Sequence, residues 1–208
     1  GRKVLDELLN KYPNVKLNET QATALKNILA IILWGEYVAW NVSSEMSAKF
    51  DEQGAKMAAV SQAHDEARHF YVMKDYLEKR LNYKPTTIFK PALRVLEEVS
   101  ETTSVAKKLL GLQLMIEPVA ITIFRFIRKS KVDPVLSELL EYYEKDEARH
   151  IALGVKYLPK LIKKMSFLKR ASFIAWQIKL ILFEIKGLKC IEKDLEVLNI
   201  DPRLVFEF

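Results

Sequence analysis

Apolar positions along this chain recur every three to four residues, and the two-residue alternation of strands is almost absent. The pattern predicts a first long helix over about 20–50, opened by Asn18 or Thr20, and a second over about 52–81. Residues 82–91 read as a loop with two prolines, after which Pro91 starts a short helix to about residue 99. A third long helix is predicted over about 104–129. Asp133-Pro134, a cap residue followed by proline at the first helical position, opens a fourth to about residue 164. Ser166 opens a fifth to about residue 189, and the remaining residues form a tail. The fifth helix carries Phe167, Ala171, Ile174, Ala175, Ile178, Leu182 and Ile185 at helical spacing. That stripe is expected to dock on the rest, with the lysines facing outward.

The chain repeats itself. Asp65-Glu66-Ala67-Arg68-His69 recurs without change as Asp146-Glu147-Ala148-Arg149-His150, an offset of 81 residues. The same offset carries Glu36 onto Glu117 and Tyr76 onto Tyr157. The first two helices are therefore echoed by the third and fourth. Glu66 and His69 are three residues apart on a helix and share a face, as do Glu147 and His150. Glu36 and Glu117 stand alone on stripes that are otherwise largely apolar, among Ile32, Leu33, Ala39 and Trp40 in one case and Leu114, Ala120 and Ile121 in the other. A carboxylate buried there is costly unless it is paired or binds a metal.

The register brings these residues to one height. Residues level with each other in an antiparallel helix pair are equidistant from the turn. The residue halfway between Glu36 and Glu66 is Asp51, inside the turn predicted at 50–54. The residue halfway between Glu117 and Glu147 is Val132, inside the turn predicted at 131–134. Each site lies about 22 Å along the helix from its turn, which is mid-bundle. Two such hairpins packed together gather four glutamates and two histidines, the ligand set of dinuclear-metal bundles. Four carboxylates balance two divalent ions. Oxygen and imidazole donors without thiolate suit iron or manganese.

Paired Asp-Glu-x-Arg-His motifs of this kind resemble those of the ferritin-like oxygen-activating proteins. These include the bacterial multicomponent monooxygenase hydroxylases, the ribonucleotide reductase small subunit with its related ligand-binding oxidases, and the arylamine N-oxygenases. The resemblance covers about residues 20–160. It implies an all-α, ferritin-like four-helix bundle with a crossover connection and an added C-terminal helix. The chain is then one domain over 1–208, with metal-binding hairpins over about 20–81 and 104–164 and an accessory helix over about 166–190. It implies that Glu36, Glu66, His69, Glu117, Glu147 and His150 bind two iron ions, with manganese or a mixed Mn/Fe pair as alternatives. Asp65 and Asp146 would accept from the free N–H of the histidines, and Arg68 and Arg149 would hold those aspartates ionised. The reductase's radical tyrosine would fall one turn past the first histidine. Met73 stands there, and Gly154 stands at its echo, so that role is not expected. Tyr143, Tyr76 and Tyr157 share the ligand-bearing faces and are the candidates for a redox tyrosine. Ala39, Trp40, Ala120 and Gly154 are the candidates for a substrate pocket.

Composition narrows the setting. A single cysteine, Cys190, excludes a disulfide framework and any cysteine-rich metal site, and with it a fused rubredoxin-type centre. The runs 27–34 and 171–183 fall short of the roughly 20 apolar residues of a membrane span. A protein without a membrane span, cytoplasmic and homodimeric, is expected. The net charge is +6. Residues 155–193 hold ten basic side chains against only Glu184 and Glu192. On its own such a run is a solvated face, but it also suits an acidic redox partner or an anionic membrane surface. No zinc-finger spacing or aromatic-interleaved motif accompanies it, so nucleic acid is not expected. The function expected is a dinuclear-metal oxidoreductase that uses dioxygen on a small or acyl-type organic substrate. The alternatives are a protein of iron oxidation, storage or peroxide scavenging, and an interaction module with a structural metal. An apolar cavity reaching the metals would favour the enzyme.

Overall fold

The structure, a computed structural model, describes residues 1–13, 17–85 and 90–206. It is all-helical among these residues. The helices are α1 (Arg2–Lys11), α2 (Glu19–Lys49), α3 (Gln53–Leu81), α4 (Lys90–Glu101), α5 (Val105–Ser130), α6 (Pro134–Lys163), α7 (Phe167–Val197) and α8 (Arg203–Phe206). The four long helices predicted for the two hairpins are present within a residue or two. Asn18 and Gln21 form a reciprocal capping box at the start of α2, and Ser104, Asp133 and Ser166 accept backbone N–H groups at the starts of α5, α6 and α7. The predicted loop over 82–91 lies partly outside the described residues.

Two antiparallel hairpins, α2–α3 and α5–α6, pack together through α3 and α6, while α4 and α7 lie against each other and against α2. The buried apolar residues separate into two clusters. One contains Ile28, Leu29, Val72, Leu77, Phe124, Leu136 and Leu140, and the other contains Val42, Met46, Ala59, Leu109, Leu153, Trp176 and Leu180. The buried glutamates and histidines lie between them along the helices. By length and composition α2 and α5 are apolar enough to cross a membrane, but half or more of each such stretch is buried within the bundle.

Three features depart from the sequence expectations. The first is α1, which was not foreseen. Leu5 and Leu8 bury themselves, and Arg2–Asp75 and Lys79–Asp6 ion pairs fasten the helix to α3. Its spacing of Val4, Leu5, Leu8 and Leu9 was the signal. The second is α5, which is not a uniform α-helix. Leu109–Ile116 is wound as a π-helix and returns to α at Glu117. Pro118, which cannot donate a backbone hydrogen bond, sits at that junction.

The third is a correction. α7 does not dock through Phe167, Ala171, Ile174, Ala175, Ile178, Leu182 and Ile185, all of which are exposed. It turns the opposite face inward, burying Phe173, Trp176, Leu180, Ile191 and Leu195. The helix is apolar on both faces, so periodicity does not choose between them. Gly111 on the π-helix does. A Cβ there would overlap Val99 Cγ2 of α4 and lie 3.2 Å from Trp176 Cη2 and 3.3 Å from Leu180 Cδ1. Its missing side chain is a notch that Val99 fills and that Trp176 and Leu180 of α7 close over.

Gly111→Ala is therefore expected to cost about 1–3 kcal/mol, seen as a lower Tm in thermal unfolding. Gly35→Ala, where nothing lies within 4 Å of the added carbon, is expected to hold or raise the Tm. Equal effects of the two substitutions would remove Gly111 as the docking notch.

Candidate metal centre

The sequence places one glutamate on α2, one on α5, and a Glu-x-x-His pair on each of α3 and α6. The hairpins bring all six side chains, each buried, into one cluster. It resolves into two overlapping groups. Glu36, Glu66, His69 and Glu147 form one, and Glu66, Glu117, Glu147 and His150 form the other, with the donor atoms of each within 4.8 Å of one another. Glu66 and Glu147 belong to both. The His69 Nδ1 lies 3.3 Å from Glu36 Oε2 and 3.2 Å from Glu147 Oε1. The His150 Nδ1 lies 3.1 Å from Glu66 Oε1 and 3.0 Å from Glu147 Oε2. Both histidines therefore point the same ring nitrogen into the cluster.

Their other nitrogens cross between hairpins. His69 Nε2 meets Asp146 Oδ2 at 3.1 Å, and His150 Nε2 meets Asp65 Oδ2 at 3.5 Å. Arg68 donates to Asp65 at 2.7 Å and Asp146 at 2.6 Å, and Arg149 to the same two at 3.0 and 2.7 Å. Each aspartate thus serves the histidine of the opposite hairpin, and each arginine holds both aspartates. A carboxylate accepting Nε2–H leaves Nδ1 as the nitrogen that faces the glutamates, and loss of its proton gives the tautomer a metal ligand requires.

The electrostatics suit cations at the centre. Burial pushes Glu36 and Glu117 well above the usual carboxylate range. Burial opposes charge on Glu66 as well, yet hydrogen bonds from His150 and His69 hold it far below that range. Burial opposes charge on both imidazoles. For His69, the Glu36 charge and hydrogen bonds to Asp146, Glu147 and Glu36 overcome it and raise the pKa well above its ordinary value. For His150, hydrogen bonds to Asp65, Glu147 and Glu66 do so and push it up to about 12. These shifts share one cause: a buried layer of carboxylates favours bound protons or cations. Among the described residues Glu117 Oε2 is buried with no hydrogen-bond partner, a placement that suits a metal-ligating oxygen. Donor set, orphaned oxygen and oriented histidines all fit a pair of metal ions.

Gln62 and Gln113 belong to this layer and were not singled out from the sequence as site residues. Gln62 donates to Glu66 and Glu117, and Gln113 donates to Gln62 from the π-helix. The available signal was Gln62's position four residues before Glu66, on the same face. Of the candidate tyrosines, Tyr143 stacks on His69 with ring centroids 4.0 Å apart and donates to the His69 carbonyl. Tyr76 donates to Asp133 instead, and Tyr157 packs on Phe50 near the other turn. Neither makes a hydrogen bond or ring contact with the cluster. His64 is exposed beside Asp65.

A cavity of about 120 Å³ reaches the cluster from the α7 side. Ile31, Ile32, Val95, Leu112, Ile123 and Leu188 line it, with Glu36, Glu66, Glu117 and Glu147 at its inner end. Ala39 and Ala120 are on the wall. Trp40 and Gly154 are not. Trp40 packs on the outer surface with Tyr37 and Phe70. Gly154 is small because α6 passes close to the π-helix, where a Cβ would sit 2.8 Å from Gln113 Cβ. Gly35 and Gly187 are the glycines on the wall, and a Cβ at Gly35 would meet nothing within 4 Å. Glu184 lines it from α7, partly buried and, among the described residues, without an ion pair or hydrogen bond, and burial pushes it up to about 7.

No protein-family model matches this chain, and no curated protein sequence matches it. Among solved structures the chain is similar to a protein from Synechococcus described as protein 19 with aldehyde deformylating oxidase activity. The TM-score is 0.76 over 91% of this chain and 85% of that one, at 14% identity. The helical bundle is thus a ferritin-like fold, and its buried Glu/His clusters are compatible with a dinuclear metal site.

Metal entering this centre must displace protons from Glu36, Glu117, His69 and His150. Titration with manganous or anaerobic ferrous ions in weak buffer is expected to acidify the solution by more than one proton per chain. Binding should weaken as pH falls from about 8 to about 6. Proton-neutral, pH-independent binding would contradict the assignment. Asp65→Ala and Asp146→Ala are expected to lower metal affinity about 10–100-fold while the bundle stays helical by circular dichroism.

Proposed function

We propose that this protein is a dinuclear-metal oxidoreductase, with iron as its metal, that uses dioxygen to oxidise an apolar organic substrate. Glu66 and Glu147 would be shared between the two ions. Glu36 and His69 would complete one ion's ligand set, and Glu117 and His150 the other's. When bound, such a pair supplies electrons to dioxygen and the oxidising equivalents for the substrate.

The chain's own residues do the rest. Asp65 and Asp146 fix the histidine tautomers, and Arg68 and Arg149 keep the aspartates ionised. Gln62 orients Glu117. The cavity wall binds an apolar group and keeps water from the inner carboxylates.

The observation that carries the reading is the apolar cavity ending on four of the six cluster residues. A centre that only oxidises and stores iron needs a polar path for ions, and this path is hydrocarbon-lined apart from Glu184. Acyl-type chains suit such a wall. The activity named for the similar Synechococcus protein makes aldehydes the first substrates to try.

Iron-loaded protein, given dioxygen, a reductant and a series of aliphatic aldehydes and acids, is expected to yield an oxidised organic product. Gly35→Phe should fill the cavity and lower that yield at least about tenfold, with iron content unchanged. Glu66→Ala and Glu147→Ala should each abolish two-metal binding. Oxidised iron accumulating with no organic product from any apolar substrate would favour the storage reading.

A further inference from the structure

The face of α7 that was expected to be buried is an exposed apolar stripe. Phe167 and Leu168 are 84% and 78% exposed, and Ile174, Ile178, Ile181, Leu182 and Ile185 continue the same side of the helix. At about 100° per residue they lie on one side of α7, opposite Trp176 and Leu180, which dock it. No described residue covers them. A stripe of large aliphatic and aromatic side chains more than four turns long is not an ordinary solvated surface.

The charge beside it is mainly basic, and the exposed acids Glu192 and Glu196 come only past the end of the apolar stripe. Lys163, Lys164, Lys169, Lys186 and Lys189 are exposed and have no acidic partner among the described residues. The two nearby lysines that do pair, Lys160 with Glu52 and Lys179 with Glu98, reach to other helices. Past Ile185 the stripe itself gives way to Lys189. An apolar helix face set among unpaired lysines is the pattern of a helix lying in the interface of an anionic bilayer.

We propose that the exposed face of α7 binds an anionic lipid surface, inserting Phe167, Leu168 and the isoleucine stripe between headgroups while the lysines meet lipid phosphates. Charge complementarity selects this occupant. A second copy would bring two like-charged faces together. An acidic protein would satisfy the lysines but would need its own apolar ridge to cover five turns of convex hydrocarbon.

The placement also connects to the cavity. Glu184, Gly187, Leu188 and Ile191, on the inner side of the same helix, form part of the cavity wall. One helix therefore separates the lipid layer from the cavity, which would let an apolar substrate enter from the bilayer without crossing water. The surface stands independently of the metal assignment, because vesicle binding can be read on metal-free protein.

The test is flotation of the whole chain, metal-free, with vesicles of phosphatidylcholine alone and of equal parts phosphatidylcholine and phosphatidylglycerol. Binding to the anionic vesicles is expected, with little to the neutral ones. Ile178→Glu with Leu182→Glu should reduce it at least about tenfold, and so should Lys186→Gln with Lys189→Gln. All four positions are exposed, and matching circular dichroism melts would show that the fold is kept. The proposal is overturned by absence of binding to anionic vesicles. It is overturned equally if the apolar pair leaves binding unchanged, since that is charge adsorption alone. A concentration-dependent dimer dispersed by Ile178→Glu would assign the face to a second copy instead.

Discussion

Six ionisable side chains packed in the middle of a helical bundle are the constraint on which the rest of this structure depends. Moving one unpaired carboxylate out of water costs several kcal/mol, and here four carboxylates share one dry layer with two imidazoles. Such a layer survives only if positive charge is supplied within it. Burial pushes Glu36 and Glu117 up, and the carboxylates around them push His69 and His150 up, so the layer favours protons or cations. Around it the Asp65–Arg68 and Asp146–Arg149 pairs cross between hairpins. The bracing that orients the histidines is thus the same bracing that locks α3 to α6. The apolar clusters above and below the layer hold the rest of the bundle together.

The internal repeat makes this layer nearly two-fold symmetric, and its departures from symmetry are informative. An offset of 81 residues carries Gln62 onto Tyr143. Gln62 reaches Glu117 and Glu66, whereas Tyr143 stacks on His69. Gln113 has an isoleucine, Ile32, as its counterpart. One half of the centre is therefore held by a chain of amides and the other by aromatic and aliphatic packing. The two proposed ion positions are chemically different although their ligands repeat. The π-helix belongs to this asymmetry, because α5 is wound wider where Gln113 must enter the layer and α2 is not.

Much of this was legible in the sequence because it rests on local rules. The caps at Asn18 and Asp133 and the identical pentapeptides set the hairpins, and Ser166 sets the start of α7. Equal distances from two turns set the height at which the glutamates and histidines meet. What stayed hidden depends on contacts between elements. The face by which α7 docks was read wrongly, since both faces are apolar and the choice is made by a notch at Gly111 on another helix. Gly154 was read as room for a substrate, but only the neighbouring helix shows that the gap is filled. The crosswise service of Asp65 to His150 and Asp146 to His69 is likewise a property of packing, invisible in either motif alone. Gly35 could have been found, since a glycine in the middle of a long helix costs about 1 kcal/mol and calls for a reason.

The claim that matters most is that this layer is built for two ions sharing Glu66 and Glu147. A crystal structure of protein loaded with iron or manganese, with anomalous scattering recorded at the metal edge, measures it directly. Two anomalous peaks are expected, one among Glu36, Glu66, His69 and Glu147 and the other among Glu66, Glu117, Glu147 and His150, with the Nδ1 atoms of both histidines facing them. A single peak, or metal bound only outside the layer while the six side chains keep their hydrogen bonds to one another, would contradict it.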